Sequence, residues 1–343
     1  MALDYTFTKC SSSGPFGETP AKAGWLPHFP HADAIRQRCR RAEEIDRRPA
    51  PMPFRPFFAT LLILLLASSG VRAEGPIPPF KDDLFAYPGR SVESADGTSV
   101  EVDYSEARDI DQRDEVPERR VKSTYVDLKP LRSQGEQVVE TPAGPLKIMS
   151  TGAATGGGPI VLFIHGRNGD RRLGMNDRSF GGNFNRLKNL MRLSDGLYVT
   201  ADAGAFGDAN AARIAALVEA LGRHRRGPSV ILACASMGGE FCWGLLGKPE
   251  VANAVRAVVM LSANSPAAKV EAMRRAGGER RIPLLLGHGT RDKVFGWDQA
   301  HSLYERLQEA GYPVRFVSFN DGNHGTPIRM IDWRTELNWL LTH

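Results

Sequence analysis

Ser236 stands where one pattern of residues gives way to another. In Ser229-Val-Ile-Leu-Ala-Cys-Ala-Ser-Met-Gly-Gly-Glu-Phe-Cys-Trp243 an apolar, strand-like run breaks among small residues and resumes with helical spacing. Ala235, Gly238 and Gly239 are small where a strand must reverse sharply into a helix, and a serine at that apex would project its hydroxyl. The N–H of the next residue, Met237, would then face a developing oxyanion. Ser-x-Gly-Gly turns also occur in ordinary α/β loops, so the flanking elements must decide.

Upstream, Pro159-Ile-Val-Leu-Phe-Ile-His-Gly166 reads as a buried strand ending in His-Gly. Downstream, Pro283-Leu-Leu-Leu-Gly-His-Gly-Thr-Arg-Asp292 is a second strand that delivers an aspartate just past its end. Val314-Arg-Phe-Val-Ser-Phe-Asn-Asp-Gly-Asn-His324 is a third, ending in a loop that carries a histidine. Nucleophile, acid and histidine follow one another in that chain order, each at the carboxyl end of a strand.

These motifs resemble the α/β-hydrolase superfamily, in particular its smaller esterase and dienelactone-hydrolase-like members. The resemblance runs from roughly Thr124 to the carboxyl terminus. It implies a Ser236–His324–Asp292 triad, with the backbone N–H groups of Met237 and Arg167, the residue after His-Gly, as oxyanion donors. The chain departs from the common Gly-x-Ser-x-Gly by carrying Cys234 at the first glycine. Cysteine is small and buries readily, so modest strain is expected there. As a thiol nucleophile Cys234 is disfavoured, because two residues before the apex it should point away from the pocket.

Other carboxylates and histidines fit these roles less well. Leu261-Ser-Ala-Asn-Ser265 offers no acid after the preceding strand, Asp298 falls inside a helix, and Asp321 should shape the turn before His324. His165 and His288 belong to His-Gly turns, His301 lies on a helix and His224 at a helix end.

The expected fold is a three-layer α/β sandwich with a mostly parallel sheet and antiparallel first strands. Strands are expected at 125–128, 137–141, 146–149, 159–165, 197–202, 229–235, 255–262, 283–288 and 314–319. Helices are expected at 208–222, 237–247, 297–310 and 326–341, with shorter ones around 184–193 and 266–275. Continuous apolar runs alternating with helical patterns imply a sheet covered on both faces. The interval from Ser262 to Pro283 holds only enough chain for one helix, so no large lid is expected. The 167–183 loop carries Arg167, Arg171, Arg172 and Arg178 at the mouth of the site, read as a solvated loop, with a preference for an acidic substrate as the alternative.

Residues 52–73 read as a secretory signal peptide. Met52-Pro-Phe-Arg-Pro-Phe-Phe-Ala-Thr-Leu-Leu-Ile-Leu-Leu-Leu-Ala67 has a short charged start, an apolar run short for a bilayer, and Val71 and Ala73 at a cleavage site. Residues 1–51 are accordingly an over-called start, with Met52 the true one, or else a disordered extension. Residues 74–122 read as a poorly ordered leader or a strap, and 123–343 as the hydrolase domain. The implied location is the periplasm or the exterior, without stable membrane insertion once the signal is removed.

The net charge of +5 over 343 residues belongs largely to the amino-terminal segment. Without residues 1–73 the chain carries 34 Lys/Arg against 33 Asp/Glu. No basic stripe remains for nucleic acid. No Cys/His spacing suggests zinc, and no Gly-x-Gly-x-x-Gly suggests a nucleotide cofactor. Cys10 and Cys39 fall in the amino-terminal segment, leaving Cys234 and Cys242; a disulfide between them is conceivable in an oxidising compartment, but two unpaired buried thiols are expected because bridging demands close Cβ atoms. The expected activity is an exported serine esterase acting on small water-soluble esters without a cofactor. An acyltransferase or small peptidase of the same fold, or a non-catalytic binding module, is the alternative.

Overall fold

The computed structural model describes residues 75–115, 119–223 and 225–343. The readings made for residues 1–73 lie outside these. From Gly75 the chain forms a short helix, α1 (Asp82–Phe85), then β1 (Val92–Glu93), β2 (Ser99–Val102), α2 (Glu106–Asp109), and a small pair, β3 (Asp114–Glu115) and β4 (Arg120–Val121). The hairpin β5 (Gly135–Thr141) and β6 (Gly144–Gly152) follows. Then come β7 (Ile160–Ile164), α3 (Asn183–Leu193), β8 (Leu197–Ala201), α4 (Asp208–Arg223), β9 (Val230–Ala235), α5 (Met237–Leu246) and α6 (Pro249–Ala254). The chain closes with β10 (Val255–Leu261), α7 (Ala267–Ala276), β11 (Leu284–Gly289), α8 (Trp297–Glu309), β12 (Val314–Phe319), α9 (Thr326–Met330) and α10 (Trp333–Thr342).

The ten-stranded sheet runs β1-β2-β12-β11-β10-β9-β7-β8-β6-β5. It is parallel from β2 to β8 and antiparallel at both ends. Alternate residues of β9 serve two cores. Val230, Leu232 and Cys234 face a cluster built with α4 through α8, while Ile231, Ala233 and Ala235 face one built with α3, α9 and α10. Strands buried on both faces lose the alternation of half-exposed ones, which is why the central runs read as continuously apolar. From β7 the chain steps outward to β8 and then back across to β9. The order therefore reverses between β7 and β9, where such sheets place their sites.

Three expectations are corrected. Residues 75–115 and 119–122 belong to the folded domain, as the strap and not as a poorly ordered leader: β2 extends the sheet in register with β12, Phe316 opposite Ser99 and Phe319 opposite Val102. Ion pairs hold this strap, with Asp82 bonded to the fully buried Arg186 and to Arg334, and Glu93 to the buried Arg315. Residues 125–128 form no strand, because side chains of α3 satisfy the backbone there. Asn185 Oδ1 accepts from the Asp127 N–H, and Asn185 and Asn189 amides donate to its carbonyl, each at 2.9 Å. The helix expected over 326–341 divides into α9 and α10, since Asp332 caps α10 by accepting from Thr335 N–H and hydroxyl.

Candidate active site

Ser236 closes β9 and opens α5 with φ 53° and ψ −127°. A side chain in that region costs on the order of 1–3 kcal/mol and persists only where the surroundings over-determine it. Here the Ser236 N–H donates to Leu261 O and its carbonyl accepts from Gly239 N–H, both at 2.9 Å. The end of β7 closes in from the other side: a Cβ at Gly166 would stand 2.9 Å from Ser236 Cβ. Only glycine lets the loop after β7 lie this near the hydroxyl.

The three residues of the expected triad meet. His324 Nε2 lies 2.8 Å from Ser236 Oγ, and His324 Nδ1 lies 2.8 Å from Asp292 Oδ2. An ionised carboxylate only accepts, so Nδ1 carries the proton and Nε2 is left to accept from the serine. The imidazole is 29% exposed and the carboxylate fully buried, so the ring meets solvent while its partner does not. Burial alone would push the Asp292 carboxyl up. Hydrogen bonds from His288, His324 and the N–H groups of Val294 and Phe295 outweigh it and hold the group well below the usual carboxylate range.

The two histidines of the His-Gly turns, His165 and His288, are fixed by backbone contacts. His288 Nε2 donates to Phe295 O at 2.8 Å and also faces Asp292 Oδ2 at 3.3 Å. His165 Nε2 accepts from Ala203 N–H at 3.1 Å, so its Nδ1 carries the proton and donates to Gly166 O at 2.8 Å. That second bond secures the turn closed by Gly169 N–H on Gly166 O, which holds Arg167. The sequence placed both histidines in His-Gly turns as structural residues, as found; the contact of His288 with Asp292 was not expected, and the four-residue spacing between them was the available signal.

Met237 is the first residue of α5, where backbone N–H groups have no carbonyl a turn behind them. Arg167 lies across from it, with Nε 3.0 Å from Met237 Sδ and its side chain at the surface. Arg171 does not share in a solvated loop: it is buried and bonded to Asp202 at 2.8 Å and to Glu136. Arg172 and Arg178 are partly or largely exposed, against Asp170 and Ser123. Phe295 approaches His324 with ring centroids 5.9 Å apart, and Val294 beside it is 59% exposed. A cavity of about 680 Å³ lies elsewhere, between the β5–β6 hairpin and α4.

The rejected acids stay apart from His324. Asp321 pairs with Arg291 at 2.8 Å and shapes its turn with φ 57°. Asp298 lies in the first turn of α8, and His301 stacks on Trp297. His224 falls outside the described residues. Among the described residues no His, Cys, Asp and Glu side chains gather as a metal site. None of the described helices is long and apolar enough to cross a membrane.

The cysteines overturn the expectation of free thiols. Cys234 and Cys242 form a disulfide across 6.6 Å between Cα atoms. The elbow itself makes this possible, because reversal from β9 into α5 folds the helix back over the face on which Cys234 points.

No family model matches the chain, and neither does any curated protein sequence. Solved structures resemble it at low identity. A thermostable esterase is 17% identical over 62% of this chain and 64% of its own, with a TM-score of 0.49. The chain thus spans just under two-thirds of that protein. The Pyrococcus furiosus esterase Pf2001 is 17% identical over 63% of this chain and 95% of its own, at 0.46. The Pyrococcus horikoshii acylaminoacyl peptidase is 15% identical over 57% and 39%, at 0.42. With TM-scores below 0.5 these likenesses carry no argument; the chain's own strand order and the turn at Ser236 are those of a three-layer, mostly parallel α/β-hydrolase fold.

Proposed function

We propose that the chain is an exported serine hydrolase, a carboxylesterase acting on small water-soluble esters through an acyl-enzyme. The observation that carries this is the unbroken hydrogen-bonded chain from Ser236 Oγ through His324 to Asp292, at 2.8 Å on each side of the imidazole. His324 takes the Ser236 proton as Oγ attacks the ester carbonyl, and Asp292 orients and stabilises the resulting imidazolium. The N–H groups of Met237 and Arg167 bind the oxyanion, each such donor typically contributing about 3 kcal/mol. His324 then protonates the departing alkoxide. Water, deprotonated by the same imidazole, releases the acid and restores Ser236.

Two further observations support parts of this reading. A buried disulfide suits an oxidising compartment. Among the described residues only the single helix α7 lies between β10 and β11 and no large cover is inserted there, which suits small soluble esters. Rates on p-nitrophenyl acetate beside an aminoacyl-p-nitroanilide test the assignment. Ester turnover that exceeds anilide turnover by orders of magnitude is expected, and the reverse would make the chain a peptidase.

A further inference from the structure

Three contacts determine where α5 begins. A Cβ at Gly238 would stand 2.5 Å from the His165 carbonyl oxygen, so the first helical turn lies directly against the end of β7. A Cβ at Gly239 would stand 2.3 Å from Ala263 Cβ, which closes the turn against the segment after β10. Both are close approaches that keep the helix from moving inward. Neither resists lifting or tilting, because each rests on weak dispersion contacts.

The third contact is covalent. Cys234 sits in β9 between Ile164 of β7 and Met260 of β10, and its side chain enters the core beneath α5. It is bonded there to Cys242, five residues into the helix, and both half-cystines are fully buried. Fixing a helix at its first turn and again more than one turn later fixes its axis. Ser236, with φ 53°, joins strand to helix between these anchors, and the direction of the Met237 N–H follows the axis.

We propose that Cys234 and Cys242, joined as a cystine, are positioning residues for the nucleophile elbow. The bridge holds α5 on β9 so that Ser236 Oγ and the Met237 N–H keep their mutual geometry. It occupies the position at which Gly-x-Ser-x-Gly elbows bring strand and helix together by the absence of a side chain. This inference rests on the serine-hydrolase reading. A displacement of about 1 Å at a reacting centre can lower turnover up to about a hundredfold, so a modest tilt of α5 should be visible in kcat.

The test compares the Cys234→Ala/Cys242→Ala and Cys234→Gly/Cys242→Ala pairs with the wild type. Active sites are counted with a fluorophosphonate, and kcat and KM for p-nitrophenyl acetate are measured well below each Tm. The expected result is a roughly tenfold lower kcat per titrated site in the alanine pair, a KM within about twofold, and partial recovery with glycine. An unchanged kcat per site alongside a lower Tm would overturn the proposal, since the bridge would then only stabilise. Failure of both pairs to fold would overturn it too, by making the bridge a requirement of folding. A wild type that neither labels nor hydrolyses esters would instead remove the reading beneath it.

Discussion

His288 Nε2 lies 3.3 Å from Asp292 Oδ2, the oxygen that also accepts the hydrogen bond from His324 Nδ1–H at 2.8 Å. With the Val294 and Phe295 N–H groups on Oδ1, the buried carboxylate is surrounded by donors. Asp292 thus holds the His324 imidazole and also ties the loop after β11 to its strand.

That arrangement has a signed consequence for stability. The folded-state pKa of Asp292 is depressed, while an unfolded aspartate titrates near about 3.9. Between the two values the unfolded chain binds more protons, so this contribution is present above about pH 4 and lost as pH falls further. Asp292→Asn should therefore flatten the acid side of the Tm-against-pH curve below about pH 4. A variant curve parallel to the wild type would contradict the assignment.

The strap offers a second test. Arg315 is buried between Glu336 of α10, at 2.7 Å, and Glu93 of β1, at 2.6 Å. Removing one partner strands a buried charge, typically at about 3–5 kcal/mol, whereas replacing both can be near neutral. Urea unfolding of Arg315→Leu should show that loss, and Arg315→Leu/Glu336→Leu should recover most of it. Equal losses in the single and double variants would count against the pairing.

Export is tested at the amino terminus. If Met52 is the start and Ala73 precedes the cleavage site, protein recovered outside the cytoplasm should begin at Glu74. Amino-terminal sequencing that finds residues before Met52 would refute this.

Acyl-chain preference follows from the sparse cover of the site. With no large apolar lid among the described residues to displace, no interfacial activation is expected. Rates on p-nitrophenyl esters from acetate to palmitate should peak at short chains. A maximum at palmitate with a jump above its solubility limit would be the opposite outcome.

Much of this was legible from residue types. The strands at 159–165 and 229–235 and the elbow between Ala235 and Gly238 were readable because a doubly buried strand and a sharp reversal each impose composition locally. Asp292 and His324 were found because each follows such a strand. What escaped depended on partners distant in sequence or, for the disulfide between residues eight apart, on the geometry between two elements. β2 is four residues long and takes its register from β12. The backbone at Asp127 is satisfied by Asn185 and Asn189 of α3, against the strand pattern around it. The disulfide needed the angle between β9 and α5, which no spacing of cysteines expresses.

The central claim is that Ser236 is the nucleophile, and covalent labelling tests it most directly. Wild-type protein treated with a fluorophosphonate and digested should carry one adduct, located by mass spectrometry on Ser236, with loss of ester hydrolysis in proportion to labelling. Ser236→Ala should fold, resist labelling and lose at least about 10⁴-fold in kcat, and Ser236→Ala/His324→Ala should be little worse, because such residues act as a unit. An adduct on another residue, or substantial turnover by Ser236→Ala, would contradict the account.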